Sequence, residues 1–281
     1  MNDLSLEIKK EEFEIRKKYH KSMLVENCID KREKLYEEAY ARLYKFNEKH
    51  LPKQEKFGYM DKLIYCYKNI INNKIVVDYG CGYGHSAIDL AKFAKKVYGI
   101  ESNDYIIEKA KHIHNKCKKV TFCKSNKLKI PLSDKSVDVV YSNDFIEHLH
   151  PCDLIIHLNE VNRILSHGGC YICITPNGKY GPFDISGAFL PRGSEPQGMH
   201  LKEYSYKELN QIFRDIGFEK IQTAVFGEEL FILTKLYSLY SFFLHSPKYK
   251  YILEKYSTNI LSNKYMAIAF AIRSVRLICW K

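Results

Sequence analysis

Asp144, Glu147 and His148 stand together in the segment DFIEH, and His200 follows much later in the chain. Spaced i, i+3 and i+4, the first three share one face if the segment is helical, and two hard carboxylates with an imidazole suit a divalent ion such as Mg²⁺. Without an ion, Glu147, His148 and His200 offer general acid–base chemistry, and a purely structural His148 is the plain alternative. A different chemistry is written upstream. Residues 75–84 read IVVDYGCGYG, an apolar run that ends at Asp78 and breaks into Gly80, Gly82 and Gly84 around Cys81. A strand that enters a glycine turn ahead of a helix bares main-chain N–H groups to a ligand. The spacing departs from the dinucleotide fingerprint G-x-G-x-x-G, because the third glycine arrives one residue early. Glu101 closes the next apolar segment, VYGIES, at about the 20-residue distance where an acid meets ribose hydroxyls, and its two oxygens suit two vicinal donors.

Such residues need a scaffold that brings them together. From residue 71 the hydrophobic pattern alternates, with strands expected at 74–79, 97–101, 119–124, 137–142 and 169–175 and helices at 84–95, 104–116 and 152–165. Short buried strands separated by helices predict an α/β fold: a doubly wound, mostly parallel sheet with its ligand crevice beyond the carboxyl ends of the strands. Asp78, Glu101, Asn126 and Asn143 then surround one crevice. Residues 6–50 are helical in pattern, with Leu35, Ala39 and Leu43 in one row and Tyr36, Tyr40 and Tyr44 in the next. The division expected is an N-terminal helical cap over 1–70 and a second domain over 71–281. Within the latter, 176–200 is too rich in Gly and Pro for a regular element and reads as an acceptor-side lid or a surface loop. A helix at 204–217, a strand at 218–226, a helical Tyr- and Lys-rich insertion at 228–261 and a last strand MAIAFAI at 266–272 complete the chain.

The glycine segment resembles the first motif of class I S-adenosylmethionine-dependent methyltransferases, D-x-G-x-G-x-G, and the blocks at 130–149, 158–177 and 200–218 are similar to that family's later regions in order and spacing. The resemblance implies a seven-stranded Rossmann-like sheet whose last strand inserts antiparallel beside the fifth, and S-adenosylmethionine as cofactor. It assigns Asp78 and the Gly80–Gly84 backbone to the aminoacid end and Glu101 to the ribose. Asn126, beside Lys127, stands where the family usually has an aspartate that accepts from the adenine amino group, and an amide oxygen can still accept there. Cys81 is a filler in the turn. DFIEH is similar to the E-x-x-E-H of ubiquinone-pathway O-methyltransferases and small-RNA 3′-end 2′-O-methyltransferases, the latter adding a histidine at the place of His200. N-terminal helices of similar enzymes lie over the cofactor pocket. The expectation is methyl transfer to a hydroxyl of a polar small molecule, a sugar or nucleotide-linked glycan precursor; an RNA-terminal 2′-O-methyltransferase and a non-catalytic cofactor-binding subunit are the alternatives.

Composition sets outer bounds. A formal charge of +11 invites nucleic acid, but no compact Lys/Arg block is present, so a small-molecule partner is the stronger expectation. The basic, tyrosine-rich C-terminal region leaves peripheral membrane contact open. No apolar run reaches the length of a bilayer span, and the charged N-terminus has no secretory pattern, so a cytoplasmic location is expected. Nine cysteines are scattered and expected to be reduced. Cys170 and Cys173 lie three apart in an expected strand, which puts them on opposite faces and argues against a zinc or redox pair. The histidines at 85, 112, 114, 150, 157 and 167 belong to no constellation and are expected at the surface or in local caps.

Overall fold

The computed structural model describes residues 6–50, 63–125, 128–223 and 274–281. Two long helices open it, α1 (Leu6–Val25) and α2 (Ile29–His50), followed by the short α3 (Lys68–Ile71). Then come β1 (Ile75–Tyr79), α4 (His85–Ala91), β2 (Lys96–Glu101), α5 (Asp104–Ile113), β3 (Val120–Lys124) and β4 (Val137–Asn143). A 3₁₀ turn over Ile146–His148 leads into α6 (Pro151–Ile164), β5 (Leu165–Pro176), a second 3₁₀ turn at Ile185–Ala188, α7 (Tyr206–Asp215), β6 (Lys220–Thr223) and β7 (Ser274–Trp280).

The seven strands form one sheet in the order β3-β2-β1-β4-β5-β7-β6. β1 to β5 pair in parallel and β7 runs antiparallel to both β5 and β6, as expected for this α/β sheet. The strand order reverses between β1 and β4, which opens a crevice at their carboxyl ends. Alternation along the strands builds two layers of core. Val77, Val140, Tyr171 and Cys173 meet Leu154, Leu158 and Phe213 on one face, and Val76, Val139, Cys170 and Ile172 meet Tyr67, Ile71 and Leu90 on the other. The two cysteines therefore lie on opposite faces, as their spacing predicts.

Two readings of the C-terminal half need correction or fall outside view. The last described strand is SVRLICW, which pairs with β5 from Cys170↔Trp280 to Pro176↔Ser274 and lies beyond the MAIAFAI run expected to form it. Residues 266–272 and the insertion expected at 228–261 lie outside the described residues. His157 is also not a surface or capping group: it is fully buried against Tyr79, Phe145 and Tyr171, and burial lowers its pKa to about 3.

The helical hairpin α1–α2 closes over this crevice through a third cluster, in which Met23, Ala39 and Leu43 pack on Met199 and Leu201. Ala39 and Leu43 come from the apolar row legible in α2. Its neighbouring tyrosine row faces inward. Among the described residues no helix is long and apolar enough to cross a membrane.

Candidate active site

A cavity of about 260 Å³ lies where β1, β2 and β4 end and α2 crosses above them. Its floor is Gly80, Gly82, Ile100, Glu101, Ser102, Ser125 and Leu128, and its roof is Tyr36, Tyr40 and Tyr44 of α2. Gly80 and Gly82 take the left-handed region, φ +74° and +52°. A Cβ on Gly80 would stand 2.6 Å from the Phe145 ring, whereas at Gly82 nothing lies within 4 Å. Gly82 thus presents bare backbone to open space, which is what a ligand laid against the main chain requires.

Glu101 holds the loop in this shape. Its Oε2 accepts from the Gly82 N–H at 3.2 Å, while Oε1 accepts from the N–H groups of Ser102 and Asn103 at 2.7 and 3.0 Å. Asp78 lies behind the loop, 2% exposed, and accepts from the Ser86 hydroxyl at 2.5 Å. Burial pushes its carboxyl up to about 7, with the nearby Glu101 adding to the effect and Ser86 opposing it. Cys81 is buried in the turn, and burial raises its thiol far from any nucleophilic range, in keeping with a filler. Gly84 caps α4 from the left-handed region. Of the cofactor residues expected from sequence, Gly80, Gly82 and Glu101 line the cavity; Asp78, Cys81 and Gly84 shape the loop from behind. Asn143 donates to Asp144 at 2.8 Å. Asn126 and Lys127 lie outside the described residues.

DFIEH is not an α-helical face. Asp144 adopts φ +52° and is exposed, and the chain then makes a single 3₁₀ turn, three residues per turn, that sends Glu147 into the core. Asp144 still lines the cavity, but the cluster that forms is Glu147, His148 and His200, each bringing one donor atom within 4.8 Å of the others. Glu147 is fully buried; Oε2 accepts from Thr175 Oγ1 at 2.8 Å and Oε1 has no partner. The His148 and His200 rings meet edge to face, centroids 4.7 Å apart. Nδ1 of His148 bonds the Met199 carbonyl at 3.1 Å and Nδ1 of His200 bonds Glu203 Oε1 at 2.6 Å. Both rings therefore keep Nε2 as the remaining donor or acceptor.

Charge in the cluster is set by burial. Burial, and then the Asp144 charge, raise the Glu147 carboxyl above its ordinary value. Burial and the adjacent His200 hold His148 well below its own, which keeps that imidazole neutral. Burial acts to lower His200 as well, yet its hydrogen bond to Glu203 and the charges of Glu147, Glu203 and Asp184 leave it raised.

Two residues of α2 tie it to the site in ways that the sequence did not show. Tyr36 donates to the His148 carbonyl at 2.9 Å and accepts from the His150 N–H at 2.8 Å, which fastens α2 to the turn that holds the cluster. Arg32 closes a buried ion pair with Asp153 of α6. Neither a helical period nor a motif distinguishes Arg32 or Asp153 from ordinary surface positions. The tyrosine row was visible as a row, and only the fold turns it toward the glycine loop.

The profile of the family described as "Methyltransferase domain" matches residues 70–223, more than half of the chain. A probable S-adenosylmethionine-dependent methyltransferase of Mycolicibacterium smegmatis is 32% identical over 145 residues, 51% of either protein. A sterol 24-C-methyltransferase of Candida albicans is 26% identical over 157 residues, 54% of this chain and 41% of that protein. The chain spans about half the length of the curated relatives it matches. In fold it is similar to a chain of the complex between the Haloferax volcanii Trm112 methyltransferase activator and the putative methyltransferase, with a TM-score of 0.51 at 16% identity, over 86% of this chain and 94% of that one.

Proposed function

The chain belongs to the class I S-adenosylmethionine-dependent methyltransferases, and on that premise we propose that it methylates a hydroxyl of a polar, phosphate-free small molecule such as a sugar. One observation carries this reading. The Glu147–His148–His200 cluster stands at the cavity formed by the glycine loop and Glu101, with His148 in its wall.

The Gly80–Gly82 backbone, with Asp78, Cys81 and Gly84 holding the turn, would hold the cofactor's aminoacid end, and Glu101 would hold its ribose. Asn126, with Lys127 and Asn143 as further cofactor-binding residues, would accept from the adenine amino group. The cofactor supplies an activated methyl group, so the protein aligns the acceptor, excludes water and receives a proton. Bound there, the cofactor would offer its sulfonium methyl group to the acceptor oxygen and leave as the neutral thioether. The hydroxyl proton passes to Nε2 of a neutral His148, whose Nδ1–H is held by Met199.

The same donors fit a divalent cation, on the ground that buried Glu147 Oε1 lacks a partner while both imidazoles are oriented through Nδ1. Glu147, His148 and His200 would hold it, without Asp144. Such an ion would lower the pKa of an acceptor hydroxyl. Two imidazoles with one carboxylate suit Mn²⁺, Co²⁺ or Zn²⁺ better than the Mg²⁺ that an all-carboxylate set would favour.

The cavity wall argues on the acceptor's charge. Glu33, Glu37, Glu101, Asp144 and Asp153 line it, and among the described residues lining it there is no Lys or Arg. A nucleotide-linked sugar or an RNA end would bring phosphates to a wall whose described charged residues are all acidic, which supports neither. The test begins with calorimetry of S-adenosylhomocysteine, followed by transfer of an isotopically labelled methyl group to panels of free sugars, nucleotide sugars and short RNAs. Failure to bind S-adenosylhomocysteine sinks the assignment, and transfer only to phosphate-bearing acceptors sinks the acceptor class.

A further inference from the structure

Glu203 is a buried carboxylate beside the cluster, and the proposed methyl transfer makes no use of it. Its side chain is 1% exposed. Oε1 accepts from the Phe183 N–H at 2.7 Å and from Nδ1 of His200 at 2.6 Å, and Oε2 has no partner. The loop 177–184 is built around it: a Cβ on Gly178 would overlap the Glu203 carbonyl, and one on Gly181 would overlap Oε2. On its other side His200 is tied down by main chain, its N–H donating to Asp184 at 3.2 Å and the following Leu201 N–H to the Glu147 carbonyl at 2.7 Å.

We propose that Glu203 is the positioning residue of this site: it holds His200 in the tautomer protonated on Nδ1 and turns its Nε2 toward Glu147 and His148. The inference rests on the reading of that cluster as the acceptor side. A carboxylate that only filled space would not need its Oε1 on an imidazole, and an apolar side chain would fill the same volume without leaving a buried oxygen unpartnered. Burial of a charge here is repaid by orientation, because a ring fixed through one nitrogen presents the other in a single direction. The glycines at 178 and 181 serve the same end from the loop side, since any larger residue displaces the carboxylate.

The test reads the tautomer directly, with no acceptor required. Nitrogen-15 spectra of imidazole-labelled protein, with His200 assigned from His200→Gln, are recorded for the wild type and three variants. At a pH high enough to keep the ring neutral, the wild type shows His200 protonated on Nδ1 alone. Glu203→Leu removes the carboxylate and Gly181→Ala displaces it, and both lose that signature, whereas Glu203→Gln keeps an accepting oxygen and retains it. Mn²⁺ affinity, followed by paramagnetic relaxation, falls about 10- to 100-fold in the first two and recovers in the third. His200 protonated on Nε2 in the wild type, or a tautomer indifferent to all three substitutions, overturns the proposal. The expected tautomers in a protein that does not bind S-adenosylhomocysteine would uphold Glu203 as the residue that orients His200 and remove the methyl-transfer reading instead.

Discussion

Arg32 of α2 and Asp153 of α6, 121 residues apart, form a two-point ion pair whose side chains are only 4% and 3% exposed. The Arg32 guanidinium also donates to the Glu26 carbonyl at 2.8 Å. The pair fastens the roof of the cavity to its wall. Removing one partner strands the other charge in the interior, so Arg32→Ala is expected to destabilise the fold by about 3–5 kcal/mol in urea titrations. Replacing both by Met and Leu recovers most of that loss. A loss below 1 kcal/mol for the single variant would show that the helix is not held in this way.

Two glycines of one turn are expected to behave differently. Gly82→Ala adds a methyl group in open space at φ +52°, at a backbone cost of about 1–2 kcal/mol, yet it occupies the surface on which the cofactor is proposed to lie. Gly80→Ala pushes against Phe145 and loses more stability. Measured by thermal unfolding and calorimetry, Gly82→Ala loses more S-adenosylhomocysteine affinity per unit of stability lost. The opposite order would move the cofactor off Gly82.

Glu101→Ala is expected to weaken S-adenosylhomocysteine by about 1.5–3 kcal/mol, the scale of hydrogen bonds to a charged group. Because Glu101 also binds the Gly82, Ser102 and Asn103 N–H groups, part of that loss reflects a looser turn. Comparing the loss for S-adenosylhomocysteine with that for its 2′-deoxy analogue separates the two. Equal losses for both ligands would deny Glu101 its ribose contact.

Asp78 links the turn to pH. Its carboxyl keeps a proton up to about pH 7 in the folded protein, against 3.8 for the ordinary group, because it is buried. Between those values the native state binds the extra proton, so stability of the ligand-free protein falls as pH rises through the window, by at most about 1.4 kcal/mol per pH unit from this residue. Asp78→Asn makes that slope shallower, leaving the share of Glu147, whose carboxyl is also raised by burial. Urea midpoints between pH 4 and 8 that fall as steeply in the variant would place the effect elsewhere.

A divalent ion at the cluster would stabilise the folded state by mass action, about 2.7 kcal/mol when present at 100 times its dissociation constant. Mn²⁺ is therefore expected to raise the melting temperature of the wild type and not of Glu147→Gln, while Asp144→Asn behaves as wild type because Asp144 stands outside the group of three. No shift with any of Mn²⁺, Co²⁺ or Zn²⁺ leaves the cluster to acid–base chemistry alone.

Much of this was legible in residue types. The order of strands and helices from 75 to 176 follows from short apolar runs separated by amphipathic ones, and the expected boundaries differ from the observed ones by a few residues. The opposite faces of Cys170 and Cys173 follow from the period of a strand. Three things were not legible. Asp144 was grouped with Glu147 and His148 on a helical spacing, and the chain instead takes a left-handed residue and a 3₁₀ turn, a choice made by packing of Ile146 and Glu147 against the sheet. The final strand was placed in MAIAFAI because hydrophobicity alone marks it, whereas pairing with β5 selects SVRLICW. His157 was set at the surface because its type carries no burial signal, and α6 turns it inward.

By itself the sequence determined the parallel α/β sheet, the glycine turn and the carboxylate at the end of β2, because these depend on local periodicity and on what a residue's own backbone allows. Only the tertiary structure decided that His148 and His200, 52 positions apart, share a ring contact, that Arg32 finds Asp153, and that Glu203 sits caged behind His200. Those relationships are set by the angles at which α1, α2 and the 177–200 loop pack on the sheet. Side chains distant along the chain meet only when such packing removes the alternatives, and no local pattern encodes that angle.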